Sequence, residues 1–144
     1  MNVLNDAQQA ALAELDALGA SLSLRYEGLI DGAPGSALSA ALEDIVVRRR
    51  PLLEELARCE RARGQLPHAP EEELGALQMV VDKTIDQLAG TVSLAARLAS
   101  AEEDWLARIR GATALDWRAD EMRLLERLEA DAREAVACLQ GLAS

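Results

Sequence analysis

At 144 residues the chain is one domain's worth of polypeptide, and with half of its residues apolar it can bury a core of ordinary size. It has no Phe, two Trp and one Tyr, so that core is built from Leu, Ala, Val and Ile; with Glu and Arg this is a helix-forming composition, and all-β classes are excluded. Fifteen basic against 25 acidic residues, a net charge of −10, argue against nonspecific attraction to nucleic acid or anionic membrane.

In chain order, residues 5 to 30 carry Leu12, Leu15, Leu18 or Gly19, Leu22, Tyr26 and Leu29 at helical spacing, with Asn5 or Asp6 placed to cap the start. Asp31-Gly32-Ala33-Pro34-Gly35 stops this helix. Ser36 is positioned to cap a second, whose stripe reads Leu38, Leu42, Ile45, Leu52 or Leu53, Leu56 and Cys59. So short a turn predicts an antiparallel hairpin. Pro51 removes one backbone hydrogen bond within the second helix and predicts a kink near residues 47 to 50, and Gly64 closes the element.

From Pro70 to Arg110 the pattern stays helical for about 40 residues, roughly 60 Å if straight, against roughly 38 Å for the first helix. A break at Gly90-Thr91 resolves the mismatch. One piece then turns Leu74, Leu77, Val81, Ile85 and Leu88 inward, and the next Leu94, Leu98, Ala101, Trp105 and Ile109. Gly111 ends the latter, Thr113 and Asp116 resemble a capping box, and Leu115, Met122, Leu125, Leu128, Ala132, Val136 and Leu139 define a last helix to about Gln140, beyond which the tail is expected to fray. No repeat or linker divides the chain, so residues 1–144 are read as a single helical-bundle domain. No run of about 18 apolar residues occurs, and Met1 to Gln9 has neither a basic region nor an apolar signal core, which sets the expectation of a cytoplasmic protein with no membrane insertion.

Chemistry-bearing residues are few. His68, in Pro67-His68-Ala69-Pro70, lies in a connector-like tract, which argues against Ser-His-Asp and Cys-His arrangements. A two-metal carboxylate centre in a bundle needs inward carboxylates and Glu-x-x-His spacing, and that spacing is absent, as is Cys-x-x-Cys. No catalytic residue, metal ligand or cofactor is therefore expected. Cys59 and Cys138 sit far apart inside helical patterns and read as reduced, partly buried thiols.

Arg48, Arg49, Arg50, Arg58, Arg61 and Arg63 put six of the 15 basic residues on the second helix. Most of this row reads as a solvated face with favourable i, i+4 pairs such as Glu54 with Arg58, Asp104 with Arg108 and Glu129 with Arg133. Arg49 differs: four residues after Ile45 and three before Leu52, it holds a core position. Its expected partner in a buried ion pair is Glu102 or Glu103, and the alternative is a side chain that snorkels to the bundle end. Trp105 reads as core. Trp117, in the first turn of the last helix beside Asp116 and Arg118, is the interface candidate.

The order Arg49, Leu56, Gly64 and Pro67 in a Gly-x-x-Pro turn, Gly75-Ala76-Leu77, and Glu103-Asp104 resembles an uncharacterised bacterial family of ferritin-like four-helix bundles, over residues 36 to 110. That resemblance implies an all-α, ferritin-like four-helix bundle made of two antiparallel helical hairpins joined by a crossover containing a short helix. Where the family tends to show His, this chain has Gln78 and the stretch Asp131 to Arg133, so the resemblance carries the fold and not ferroxidase chemistry. Arg50-Pro51-Leu52-Leu53-Glu54-Glu55-Leu56 is also similar to flagellar and type III export chaperones, which are small, acidic and helical. The expected function is a non-catalytic ferritin-like bundle serving as a structural or protein-interaction module, as a homodimer or with a protein partner. The alternatives are an acidic helical export chaperone and a ferritin-like metal-binding or redox protein.

Overall fold

The computed structural model describes residues 3–32, 35–64 and 94–143, with the side chains of residues 3–6 left aside. The described residues form four helices packed together: α1 (Val3–Gly32), α2 (Ala37–Ala62), α3 (residues 94–112) and α4 (Ala119–Ala143). Among them no helix is long and apolar enough to cross a membrane. The expected segment 70–89, with its stripe from Leu74 to Leu88, the break at Gly90 and the loop of His68 lie outside the described residues.

Helix α1 starts at Val3, ahead of Asn5 and Asp6, so neither is its cap. At α2 the Ser36 hydroxyl accepts the Ser39 N–H at 3.0 Å, meeting one of the unpaired donors of the first turn. The other end of α2 closes on Gly64, whose φ of +88° is open to glycine and strained for other residues; its N–H returns to the Arg61 carbonyl at 3.0 Å. Pro51 is on the exposed side of α2, and the helix runs through it. The carbonyl of Val47 that Pro51 cannot bond lies on this solvent-facing stretch, where water can serve it.

The start of α4 corrects the sequence reading. Thr113 does not cap it; the Thr113 hydroxyl instead donates to the Arg110 carbonyl at 2.6 Å, tying off the end of α3. The helix begins at Ala119, where Glu121 reaches back to accept the Arg118 N–H at 3.2 Å, the carboxylate half of a capping box. Trp117 therefore sits in the loop before the helix. The tail from Gly141 to Ala143 remains helical.

The core is Leu, Ala, Ile and Val around Tyr26 and Trp105. Small residues let the helices approach: a Cβ on Gly19 would lie 2.8 Å from both Leu53 Cδ2 and Trp105 Cζ2. Cross-helix pairs give the register. Along α2, Arg48 meets Glu134 at 2.6 Å, Glu55 meets Arg127 at 2.5 Å and Arg63 meets Glu121 at 2.7 Å, so partner numbers fall along α4 as they rise along α2. Arg108 and Glu129 also find partners on other helices, Glu14 and Arg110, rather than serving only local pairs.

Two outcomes follow from this packing. Gly19→Val should destabilise the fold by about 1–3 kcal/mol in urea denaturation, because the indole of Trp105 has no room to retreat. Cys59 lies between Glu55 and Arg63, level with the turn of α4 between Glu121 and Arg127, which puts it roughly 20 Å along the bundle from Cys138. Both thiols are free. Mild oxidation of the folded chain should give no intrachain disulfide, which needs Cα atoms within about 7 Å; an efficient Cys59–Cys138 crosslink on non-reducing gels would contradict this register.

Candidate functional site

One polar side chain from each helix converges inside the bundle. The stripe of α2 brings Arg49 inward between Ile45 and Leu56, and the chain leaves it 0 % exposed. Its Nη1 and Nη2 donate to Glu102 Oε1 and Oε2 at 2.6 and 2.9 Å, a two-pronged pairing, while Nε donates to Asp131 Oδ2 on α4 at 2.7 Å. Tyr26 on α1 donates its hydroxyl to the same Glu102 Oε1 at 2.5 Å. Over the guanidinium lies the ring of Trp105, 4.4 Å from Cζ to centroid, and its indole N–H donates to the Leu15 carbonyl at 3.1 Å. The missing side chain at Gly19, one turn beyond Leu15, makes room for this indole.

Of the two carboxylates considered for Arg49, the structure brings in Glu102 and leaves Glu103 exposed, accepting from Gln140 Nε2 at 2.8 Å. The reason is the helical step of about 100° per residue. Glu102 follows Leu98 by four and precedes Trp105 by three, whereas Glu103 is rotated off that face. Asp131 and the hydroxyl of Tyr26 are the members that sequence reasoning missed. Asp131 did carry a signal, since it stands three residues after Leu128 and four before Ala135, on the buried stripe of α4.

The electrostatics hold Arg49 and Tyr26 each in one protonation state. Burial disfavours the charge on Arg49, but the hydrogen-bonded Glu102, together with Asp131, outweighs it and holds the guanidinium protonated beyond its usual range. Burial, then the charge and hydrogen bond of Glu102, push the Tyr26 hydroxyl well above the ordinary tyrosine value, so it stays a donor.

A second, more peripheral cluster repeats the combination. Arg63, at the end of α2, donates through Nε and Nη2 to Glu121 Oε2 and Oε1, both at 2.7 Å, and through Nη1 to Gln8 at 2.7 Å. Its Cζ lies 5.4 Å from the centroid of Trp117. Trp117 is half-buried and donates its indole N–H to the Ala112 carbonyl at 2.8 Å, which fastens the α3–α4 loop. Burial pushes the Glu121 carboxyl up, yet the Arg63 hydrogen bond and the Arg118 N–H outweigh it and hold it below the usual range.

Chemically, the central site is closed. An arginine cannot act as a proton carrier near neutrality, and both oxygens of Glu102 already accept from its guanidinium. A two-metal centre in a helical bundle would need inward carboxylates free to bind an ion. The residues present do not fit one: Glu102 and Asp131 are bound to a cation that the chain itself supplies, and among the described residues no group of three or more His, Cys, Asp or Glu could hold an ion. On the surface, a groove of about 370 Å³ between α2 and α4 is lined by Glu55, Asp120, Arg123, Glu126, Arg127 and Ala130, with Glu55 paired to Arg127. Compared with known proteins, the chain matches no family model, no curated protein and no solved structure.

Arg49→Met should cost about 3–5 kcal/mol in urea denaturation, because it strands Glu102 and Asp131 as buried anions. Adding Glu102→Gln and Asp131→Asn to the same chain should recover part of that loss, giving a strongly non-additive cycle; a change within about 0.5 kcal/mol for Arg49→Met would place the residue outside the core.

Proposed function

We propose that the chain is a non-catalytic ferritin-like bundle, a structural or protein-interaction module that works as a homodimer or with a protein partner. In this reading its two antiparallel hairpins are α1 with α2 and α3 with α4, and the crossover expected between them, residues 70–89, lies outside the described residues. The order of the cross-helix pairs supports this arrangement: Gln9 with Arg63 for the first hairpin, Glu103 with Gln140 and Arg110 with Glu129 for the second, and Tyr26 with Glu102 and Glu14 with Arg108 between α1 and α3. In that order α2 and α3 run the same way, so their connection travels the length of the bundle.

The observation that carries the non-catalytic reading is the guanidinium of Arg49, seated among carboxylates of α3 and α4. In a bundle enzyme the corresponding inward carboxylates would be free to take an ion or move a proton. Here they are neutralised by a fixed cation, capped by an indole and shut from water. What remains for function is the outside of the bundle.

Protein incubated with excess Fe(II) or Mn(II) and then gel-filtered should retain less than one equivalent by elemental analysis. Two equivalents retained, together with iron oxidation faster than in buffer, would overturn the non-catalytic reading in favour of a ferritin-like redox protein.

A further inference from the structure

Besides the two arginine clusters, the described residues include a buried carboxyl group that no salt bridge satisfies. Glu60, in the last turns of α2, is 0 % exposed, and both of its carboxyl oxygens are inaccessible and without a hydrogen-bond donor. It follows Leu56 by four residues and so lies on the core stripe. Facing it from α1 is Asp16, itself 6 % exposed and following Leu12 by four on that helix. Asp16 lies within hydrogen-bonding reach of a Glu60 carboxyl group whose two oxygens have no donor, a surrounding that an ionised Glu60 would not tolerate. A single proton removes the conflict, because a protonated carboxyl group donates to the other acid and halves the buried charge.

We propose that Glu60 is protonated at neutral pH and donates to Asp16, making the α1–α2 contact a latch that is tight in acid and loosens in mildly alkaline solution. The charged surroundings leave the proton little competition. From α1 the facing group is Asp16; on α2 itself Arg61 is the opposing charge, and it lies on the exposed side of the helix; no charged group of α3 or α4 bears on Glu60 among the described residues. Burial first, then the hydrogen bond and charge of Asp16, push the Glu60 carboxyl up to about 8. The unfolded chain loses this proton at the ordinary glutamate value of 4.5, and the folded chain keeps it until near 8. The fold therefore binds more protons across that window, and its stability falls as pH rises through it and levels off above.

The latch is separate from the Arg49 cluster and independent of the proposed function. Its test compares the full chain with Glu60→Gln, which keeps the shape and a neutral donor, and with Asp16→Asn, which gives Glu60 a neutral partner. Between pH 6 and 9 the melting temperature of the parent chain should drop by about 5 °C or more relative to Glu60→Gln, and Asp16→Asn should fall less steeply than the parent. Infrared spectra of protein carrying ¹³C-labelled glutamate should show a protonated carboxyl band at pH 6 that disappears by pH 9 and is missing in Glu60→Gln. Parallel melting curves for the three chains, or no protonated band at pH 6, would overturn the proposal. So would a rise in melting temperature of the parent chain alone on adding Ca²⁺ or Mn²⁺ at pH 7, because the pair would then be holding a cation in place of the proton.

Discussion

Everything in this bundle is arranged around one desolvated guanidinium. Taking Arg49 out of water is expensive, and the cost is tolerable only because Glu102, Asp131 and the face of Trp105 surround it with opposite charge and π density. Glu102 in turn needs Tyr26, and Trp105 needs the Leu15 carbonyl and the bare backbone of Gly19. One member from each helix is thus committed to a shared set of bonds. Leucine-on-alanine packing tolerates small slips between helices, since apolar contacts are non-directional. Ionic bonds do not: moving α2, α3 or α4 by one residue would strand a buried charge at a cost of several kcal/mol. The network sets register, and the apolar core around it supplies the driving force.

The Arg63 cluster uses the same three ingredients, arginine, glutamate and tryptophan, at the end of the bundle. There it joins the start of α1, the end of α2 and the loop before α4. Because Arg63 keeps partial contact with water, its desolvation is smaller, and the cluster acts as a clasp on the loop. The two arginines mark two levels of the bundle, one dry and one wet. Near Arg63 on α2 lies the unbalanced carboxyl of Glu60, where the proposed solution is a proton in place of a cation, since neither of its oxygens has a partner and, among the described residues, the positive charge that bears on it is Arg61 on the exposed side of α2.

A chain without Phe has to fill its interior with smaller and more numerous side chains, and this is why a glycine and several alanines are core residues here. Ala95, Ala99, Ala132 and Ala135 are buried on α3 and α4, and Gly19 admits the largest side chain of the core. Close helix approach and a bulky, hydrogen-bonded indole are therefore two sides of one packing solution. The same closeness excludes water from the ionic centre, which strengthens its bonds and removes its chemistry from reach.

Helical periodicity made most of the fold legible in the sequence: the stripes of α1, α2 and α4, the Ser36 cap and the Gly64 stop depend on local spacing and on backbone preferences that each segment carries by itself. The inward position of Arg49 was legible for the same reason, from its distance to Ile45 and Leu52, and so was the candidacy of Glu102. Choosing Glu102 over Glu103 required knowing how α3 is rotated, and adding Asp131 and the Tyr26 hydroxyl required knowing which turns of α4 and α1 stand at the same height. Local rules also misplaced the start of α4, because Trp117 is held back in the loop by bonds to Ala112 and by Arg63, a partner far away in sequence. The inward positions of Asp16 and Glu60 also follow from spacing, four residues after Leu12 and Leu56, but their meeting does not. Sequence spacing determines which face a residue occupies; only the tertiary structure decides what meets it there, because relative height and rotation of helices are settled by packing all four together.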